Sequence, residues 1–168
     1  APASGSYLFP KAMHLFRQEA PTVDVVLHEH DSIYLQRKIA AGELDLALVA
    51  FREDQWENQG KFLMKDEVLL VANRDSPVME FVREGQGGPD RPWVELSEIA
   101  HLDFLLSSRS AMLGSIAQKQ FDDLGIHPKF VCGTQTASMS AALARRGVGI
   151  AFTYRSCIEE SRDVIYLS

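Results

Sequence analysis

Apolar residues along the chain switch repeatedly between alternate or nearly unbroken runs and a helical spacing, and each rhythm predicts its own element. From Gly5 to Glu19, Leu8, Ala12, Leu15, Phe16 and Ala20 share one helical face; Pro10 is tolerated in the first turns and Pro21 ends the run. Val23 to Glu29 alternates at Val23, Val25 and Leu27 and predicts a strand. Asp31 or Ser32 then caps a helix through Ala41, which Gly42 stops. Leu44 to Ala50 suits a buried parallel strand.

A polar loop from Arg52 to Gly60 leads to strands at Phe62–Lys65 and Val68–Ala72. Arg83 to Pro92 is rich in Gly, Pro and charge and is read as a mobile surface loop. The alternation then restarts. A helix at Leu96–Ala100 precedes a strand at Asp103–Leu106. A longer helix at Met112–Leu124 buries Leu113, Ile116, Ala117, Phe121 and Leu124, and Gly125 closes it. Phe130–Cys132 is a strand, Ala137–Arg146 a helix, Val148–Thr153 a buried strand and Val164–Leu167 a last short one. Strands alternating with helices over short connections predict an α/β protein with a mainly parallel sheet. The pattern occurs twice, before Asn73 and after Pro92, which predicts two similar α/β lobes joined by extended crossovers. Ligands of such sheets sit beyond the carboxyl ends of the strands, so two facing lobes enclose a central cleft.

The segments at those strand ends are Ser4-Gly5-Ser6, Asp31-Ser32, Ser107-Ser108-Arg109-Ser110, Thr134-Gln135-Thr136 and Thr153. Each is expected to precede or cap a helix. Free N–H groups and a partial positive charge at helix starts favour small anions, and hydroxyls add donors. Plain N-capping accounts for Ser or Thr at any one of these places; five converging on one cleft point to a ligand.

Enzyme signatures are missing. No G-x-S-x-G elbow, G-x-x-x-x-G-K-[ST] loop or G-x-G-x-x-G fingerprint occurs, and Arg146-Gly147-Val148-Gly149-Ile150 is too short and precedes a strand. No nucleophile–base pair can be assembled from spacing, so neither catalysis nor a cofactor is expected. His28-Glu29-His30 puts two imidazoles on one strand face. His14, His101 and His127 offer no third ligand of fitting spacing, which favours a solvated strand end over a metal site.

Composition narrows the classes further. Of 168 residues 46% are hydrophobic and 24% charged, as in ordinary globular domains. Net charge is −6 and the 17 basic residues are scattered, with doublets only at Arg37-Lys38 and Arg145-Arg146, so this stretch alone is not expected to bind DNA. No apolar run approaches the roughly 18 residues of a membrane span, and Ala1-Pro2-Ala3-Ser4 resembles no secretory leader. Two cysteines, Cys132 and Cys157, make no disulfide framework and are read as reduced thiols of a cytoplasmic protein.

Taken in order, these segments resemble the effector (co-inducer) binding domain of LysR-type transcriptional regulators. Gly5-Ser6-Tyr7-Leu8-Phe9-Pro10, then Phe16-Arg17 and Ala20-Pro21-Thr22-Val23, is similar to the family's opening "GSYLLP…F…YPGV". Gly42-Glu43-Leu44-Asp45-Leu46-Ala47-Leu48-Val49 is close to its diagnostic "GELDLALV". Asp75-Ser76-Pro77-Val78 resembles its "DHPL" turn, Leu96-Ser97-Glu98-Ile99 its "LADL" helix, and Arg146 to Ala151 its "AGLGIA". The match runs over essentially the whole chain. Family domains also carry a strand ahead of the equivalent of Ala1 and a returning strand and helix after that of Ser168, so lobe I is expected to be incomplete within these residues. The DNA-binding helix-turn-helix lies ahead of the domain in the family.

The resemblance implies a type 2 periplasmic-binding-protein-like fold of two Rossmann-like lobes, 1–72 and 73–168, with a small effector in the cleft between them. DNA is contacted only through the helix-turn-helix, and no membrane is involved. Subunits pair as a homodimer or tetramer, with helix 5–19 packed on helix 137–146 of a partner. Carried onto this sequence, the effector contacts are Ser4, Ser6, Ser32, Ser108, Thr136 and Thr153, and the ligand an organic acid. The reactive cysteine of the family's peroxide sensors is replaced here by Ala111, which argues against redox sensing. A periplasmic solute-binding protein of a transport system, sharing fold and cleft, is the alternative; a small enzyme with an α/β cleft comes third.

Overall fold

The computed structural model describes residues 2–52, 60–85, 91–134 and 136–168, with the backbone alone at 2–4 and 6. Much of the loops expected at 52–60 and 83–92 lies outside the described residues. Two compact units divide the chain, Ala1–Lys65 and Asp66–Ser168.

In the first unit, α1 spans Pro2–Glu19 with Pro10 inside it, and α2 spans Ser32–Ala40. Asp31, not Ser32, caps α2: its carboxylate accepts the Tyr34 N–H at 2.8 Å. The strands expected at 23–29, 44–50 and 62–65 do not form. A strand draws its stability from a neighbour's ladder and matching side chains, and alternation of apolar residues supplies neither. Val26, Leu27, Leu46, Phe62 and Leu63 accordingly stay exposed, and Ser32 and Leu35 are the buried residues described in this unit.

The second unit is built on five strands: β1 (Val68–Asn73), β2 (Asp103–Ser107), β3 (Lys129–Thr134), β4 (Ile150–Tyr154) and β5 (Val164–Leu167). Their order is β3-β2-β4-β1-β5. The β3–β2 and β2–β4 pairs are parallel, while β1 runs antiparallel to both its neighbours, β4 and β5. That pairing moves the boundary from the expected 72/73 to 65/66, because the apolar run 68–73 is a strand of the second unit's own sheet.

Among the described residues this unit has three α-helices, α3 (Leu96–Ile99), α4 (Met112–Asp123) and α5 (Ala137–Arg145), and two short 3₁₀ helices, Pro77–Phe81 and Arg155–Cys157. Alternation along the strands sends successive side chains to opposite faces. On one face Phe104 and Phe152 meet Phe121 of α4 edge to face, with centroids 5.2 and 5.8 Å apart. On the other, Val71, Leu105, Ala151 and Val164 pack against Ala141 and Ala144 of α5. Gly125, at φ 65°, ends α4 in the left-handed conformation that favours glycine.

Phe104 and Phe121 are fully buried. Phe121→Ala is expected to destabilise the second unit by about 3–5 kcal/mol, read as a lower urea midpoint at unchanged slope. A loss below about 1 kcal/mol would show that the aromatic cluster is not the core.

Candidate functional site

Since β2, β3 and β4 run the same way, their carboxyl ends reach one edge, and α4 and α5 start there. Ser107 pairs with Thr134 across that edge, and the Ser108 N–H extends the ladder to the Thr134 carbonyl at 2.9 Å. The edge is lined with hydroxyls, and proton accounting shows which remain available. Thr136, the N-cap of α5, accepts from the Met139 N–H at 3.4 Å and from the Ser138 hydroxyl at 3.2 Å. Both lone pairs of Thr136 are thereby used, leaving its own proton to donate.

Beneath it, Thr134 donates to the Thr136 carbonyl at 2.7 Å, so the buried Ser140 hydroxyl is the donor in its 2.7 Å bond with Thr134. On the neighbouring loop the Ser110 N–H donates to Ser108 Oγ at 3.3 Å, and the two hydroxyls lie 2.9 Å apart. Whichever of them donates, one hydroxyl proton is left over. The N-cap of α4 is Ala111, which has no side chain to cap its first turn, so the N–H groups of that turn lack a hydroxyl or carboxylate partner. Arg109, exposed between the serines, adds positive charge. The edge thus presents donors with few acceptors, the arrangement that suits an anion.

Ser108 and Thr136 therefore fall on adjacent strand ends, as expected. Thr153 sits one strand over, opposite Leu69 and only 3% exposed; it precedes Tyr154 and the short 3₁₀ turn Arg155–Cys157 and caps no helix. Ser32 belongs to the first unit and spends a lone pair on the Ala50 N–H at 3.2 Å. Ser4 and Ser6 are inside α1 rather than ahead of it, and their side chains lie outside the described residues, as does Gln135. Sequence reasoning passed over Ser138 and Ser140. Their signal was the hydroxyl density of 134–140, which reads as capping until the bonds are assigned.

His28-Glu29-His30 is not a strand, and the His30 ring stacks on Tyr34 with centroids 4.0 Å apart. Among the described residues no three His, Cys, Asp or Glu side chains gather to hold a metal. Nor does any described helix have the length and apolarity to cross a membrane. Arg145, half of a basic doublet, is turned to structure: it donates to the Cys157 carbonyl at 3.0 Å and to Tyr166 Oη at 3.3 Å, and pairs with Glu159 at 3.7 Å.

The sequence profile of the LysR substrate binding domain matches residues 1–168. This chain belongs to that family. Among its relatives is the HTH-type transcriptional regulator YybE of Bacillus subtilis (strain 168), 25% identical over 146 residues, or 87% of this chain and 47% of YybE. The LysR domain described here thus spans about half the length of that relative. Among solved structures, the CcmR regulatory domain of Synechocystis PCC6803 in complex with 2-PG superposes with a TM-score of 0.76 at 15% identity, covering 98% of this chain and 76% of that one. The effector binding domain of QuiR in complex with shikimate gives 0.70 at 17%, covering 99% and 76%. The fold is the type 2 periplasmic-binding-protein-like α/β architecture.

Both cysteines are free thiols in separate elements. Burial pushes the Cys157 thiol above its ordinary range, against a smaller lowering by the Ser156 hydroxyl, and the nearby Asp66 carboxylate adds to the rise. Because the thiolate is the reacting form, iodoacetamide at pH 8 is expected to label Cys132 in the folded chain well before Cys157. Urea should abolish the difference; equal labelling rates without urea would contradict the buried placement of Cys157.

Proposed function

We propose that this chain is the effector-sensing part of a LysR-type transcriptional regulator, which binds a small organic acid and conveys its presence to a DNA-binding helix-turn-helix elsewhere in the full protein. The observation that carries the reading is the donor-rich edge of the second unit, where the Thr136 proton, one proton of the Ser108–Ser110 pair, the uncapped start of α4 and Arg109 come together. The protein acts by binding rather than catalysis, in the cytoplasm where its DNA target lies. Ser4, Ser6 and Ser32 are the first unit's proposed contributions, with Thr153 from the second; the two units serve as lobes I and II. That CcmR and QuiR domains of the same fold are solved with 2-PG and shikimate supports an acid as the ligand. Membership in this family favours the regulator over the transport protein.

The effector can shift the regulator only by its difference in affinity for two arrangements of the protein. A homodimer or tetramer is proposed as the working form, with α1, whose Leu15 and Phe16 are exposed, packed on a partner's α5, where Met139 is exposed.

Screening shikimate, benzoate and inorganic phosphate by thermal shift is expected to find stabilisation by at least one anion and none by neutral analogues. Ser108→Ala and Thr136→Val should each weaken that anion about tenfold, the size of one hydrogen bond to a charged group. Stabilisation by neutral compounds alone would refute the acid reading.

A further inference from the structure

Gly114 occupies the third position of α4, where a glycine costs helix stability relative to alanine. Packing supplies the reason. A Cβ here would stand 2.2 Å from the Ser108 carbonyl oxygen and 2.6 Å from that of Ser107, both backbone atoms. Even an attractive C–H···O contact keeps carbon and oxygen about 3.3–3.6 Å apart. Nor can the Ser107–Ser108 backbone step aside at low cost. Ser107 is paired with Thr134, the Ser108 N–H donates to the Thr134 carbonyl at 2.9 Å, and the Ser108 carbonyl accepts the Ala111 N–H at 2.9 Å. With these carbonyls turned toward α4 and the peptides trans, the Arg109 N–H points away from the helix, and it has no partner among the described residues.

We infer that Gly114 is a positioning residue for the Ser107–Ala111 loop. Its bare backbone lets α4 lie directly under the Ser107 and Ser108 carbonyls, which holds the Ser108 and Ser110 hydroxyls and the Arg109 N–H in one set of places at the carboxyl end of β2. Any side chain at 114 must either lift that loop or back α4 away from the sheet. The role in binding rests on the reading of this loop as part of the effector site; the role in placing the loop does not.

The test is hydrogen exchange on the intact chain without ligand, comparing Gly114→Ala with Ala117→Gly, which weakens the same helix but adds no atom under the loop. Gly114→Ala is expected to speed exchange at the bonded Ser108, Ser110 and Ala111 amides at least tenfold, while Ala117→Gly leaves those amides within twofold of the native chain. Stabilisation by whichever of shikimate, benzoate or inorganic phosphate binds should be lost in Gly114→Ala and kept in Ala117→Gly. Unchanged loop exchange in Gly114→Ala, or equal loop exchange in the two variants, overturns the inference; a displaced loop with affinity still within twofold upholds the placing role and overturns the reading of this loop as part of the effector site. If none of the three probes binds the native chain, the effector reading falls and exchange alone decides Gly114. Should Gly114→Ala not fold, the comparison moves to an Arg109→Gly background, whose looser loop can yield. There the added substitution must still speed loop exchange for the inference to survive.

Discussion

β3, β2 and β4 run in one direction, so each delivers the chain to the same edge of the sheet, and each connection must begin there. Where the connection is a helix, its first N–H groups have no carbonyl within the helix to bond. Parallel pairing therefore concentrates unsatisfied donors at one place as a by-product of building the sheet. The polarity of that edge follows from how the sequence treats the surplus. At α5 a threonine cap absorbs one donor and keeps its own proton unspent. At α4 an alanine leaves the surplus open. The difference leaves the edge with more donors than acceptors at the start of α4.

Packing on the two faces keeps the edge in register. α5 touches the sheet through alanines and a serine, which brings its cap close to the strand ends, whereas α4 is held through the aromatic cluster of Phe104, Phe121 and Phe152. A small-residue seam on one face and a large-residue seam on the other fix the two helix starts by different means.

The second unit was largely legible in the sequence. Its helices carry strong spacing, with a clear stop for α4 at Gly125, and its strands are short apolar runs between those helices. The first unit was legible only as helices. Val23–Glu29 and Leu44–Ala50 have strand-like patterns, but pairing is a property of two segments, and a pattern in one cannot supply the other. The same limit applied to the site. Ser108 and Thr136 could be named from their place before helices, while the proton bookkeeping through Ser138, Thr134 and Ser140 depends on distances no spacing rule contains. The cap of α2 stays open between Asp31 and Ser32 in the sequence because both residues can fill that position, and the bond from the Tyr34 N–H assigns it to Asp31.

The reach of Arg145 bears on how this unit comes apart. From the end of α5 its guanidinium holds the carbonyl of Cys157 and the ring oxygen of Tyr166, while its own carbonyl accepts from Asn73 on β1. β5 is an outer strand next to the chain's last residue here, the sort of place that ordinarily frays first. Being tied to a helix on the opposite side of two sequence gaps, it cannot peel off without disturbing α5 and β1. Melting of this half should accordingly be a single event rather than a progressive loosening from its end.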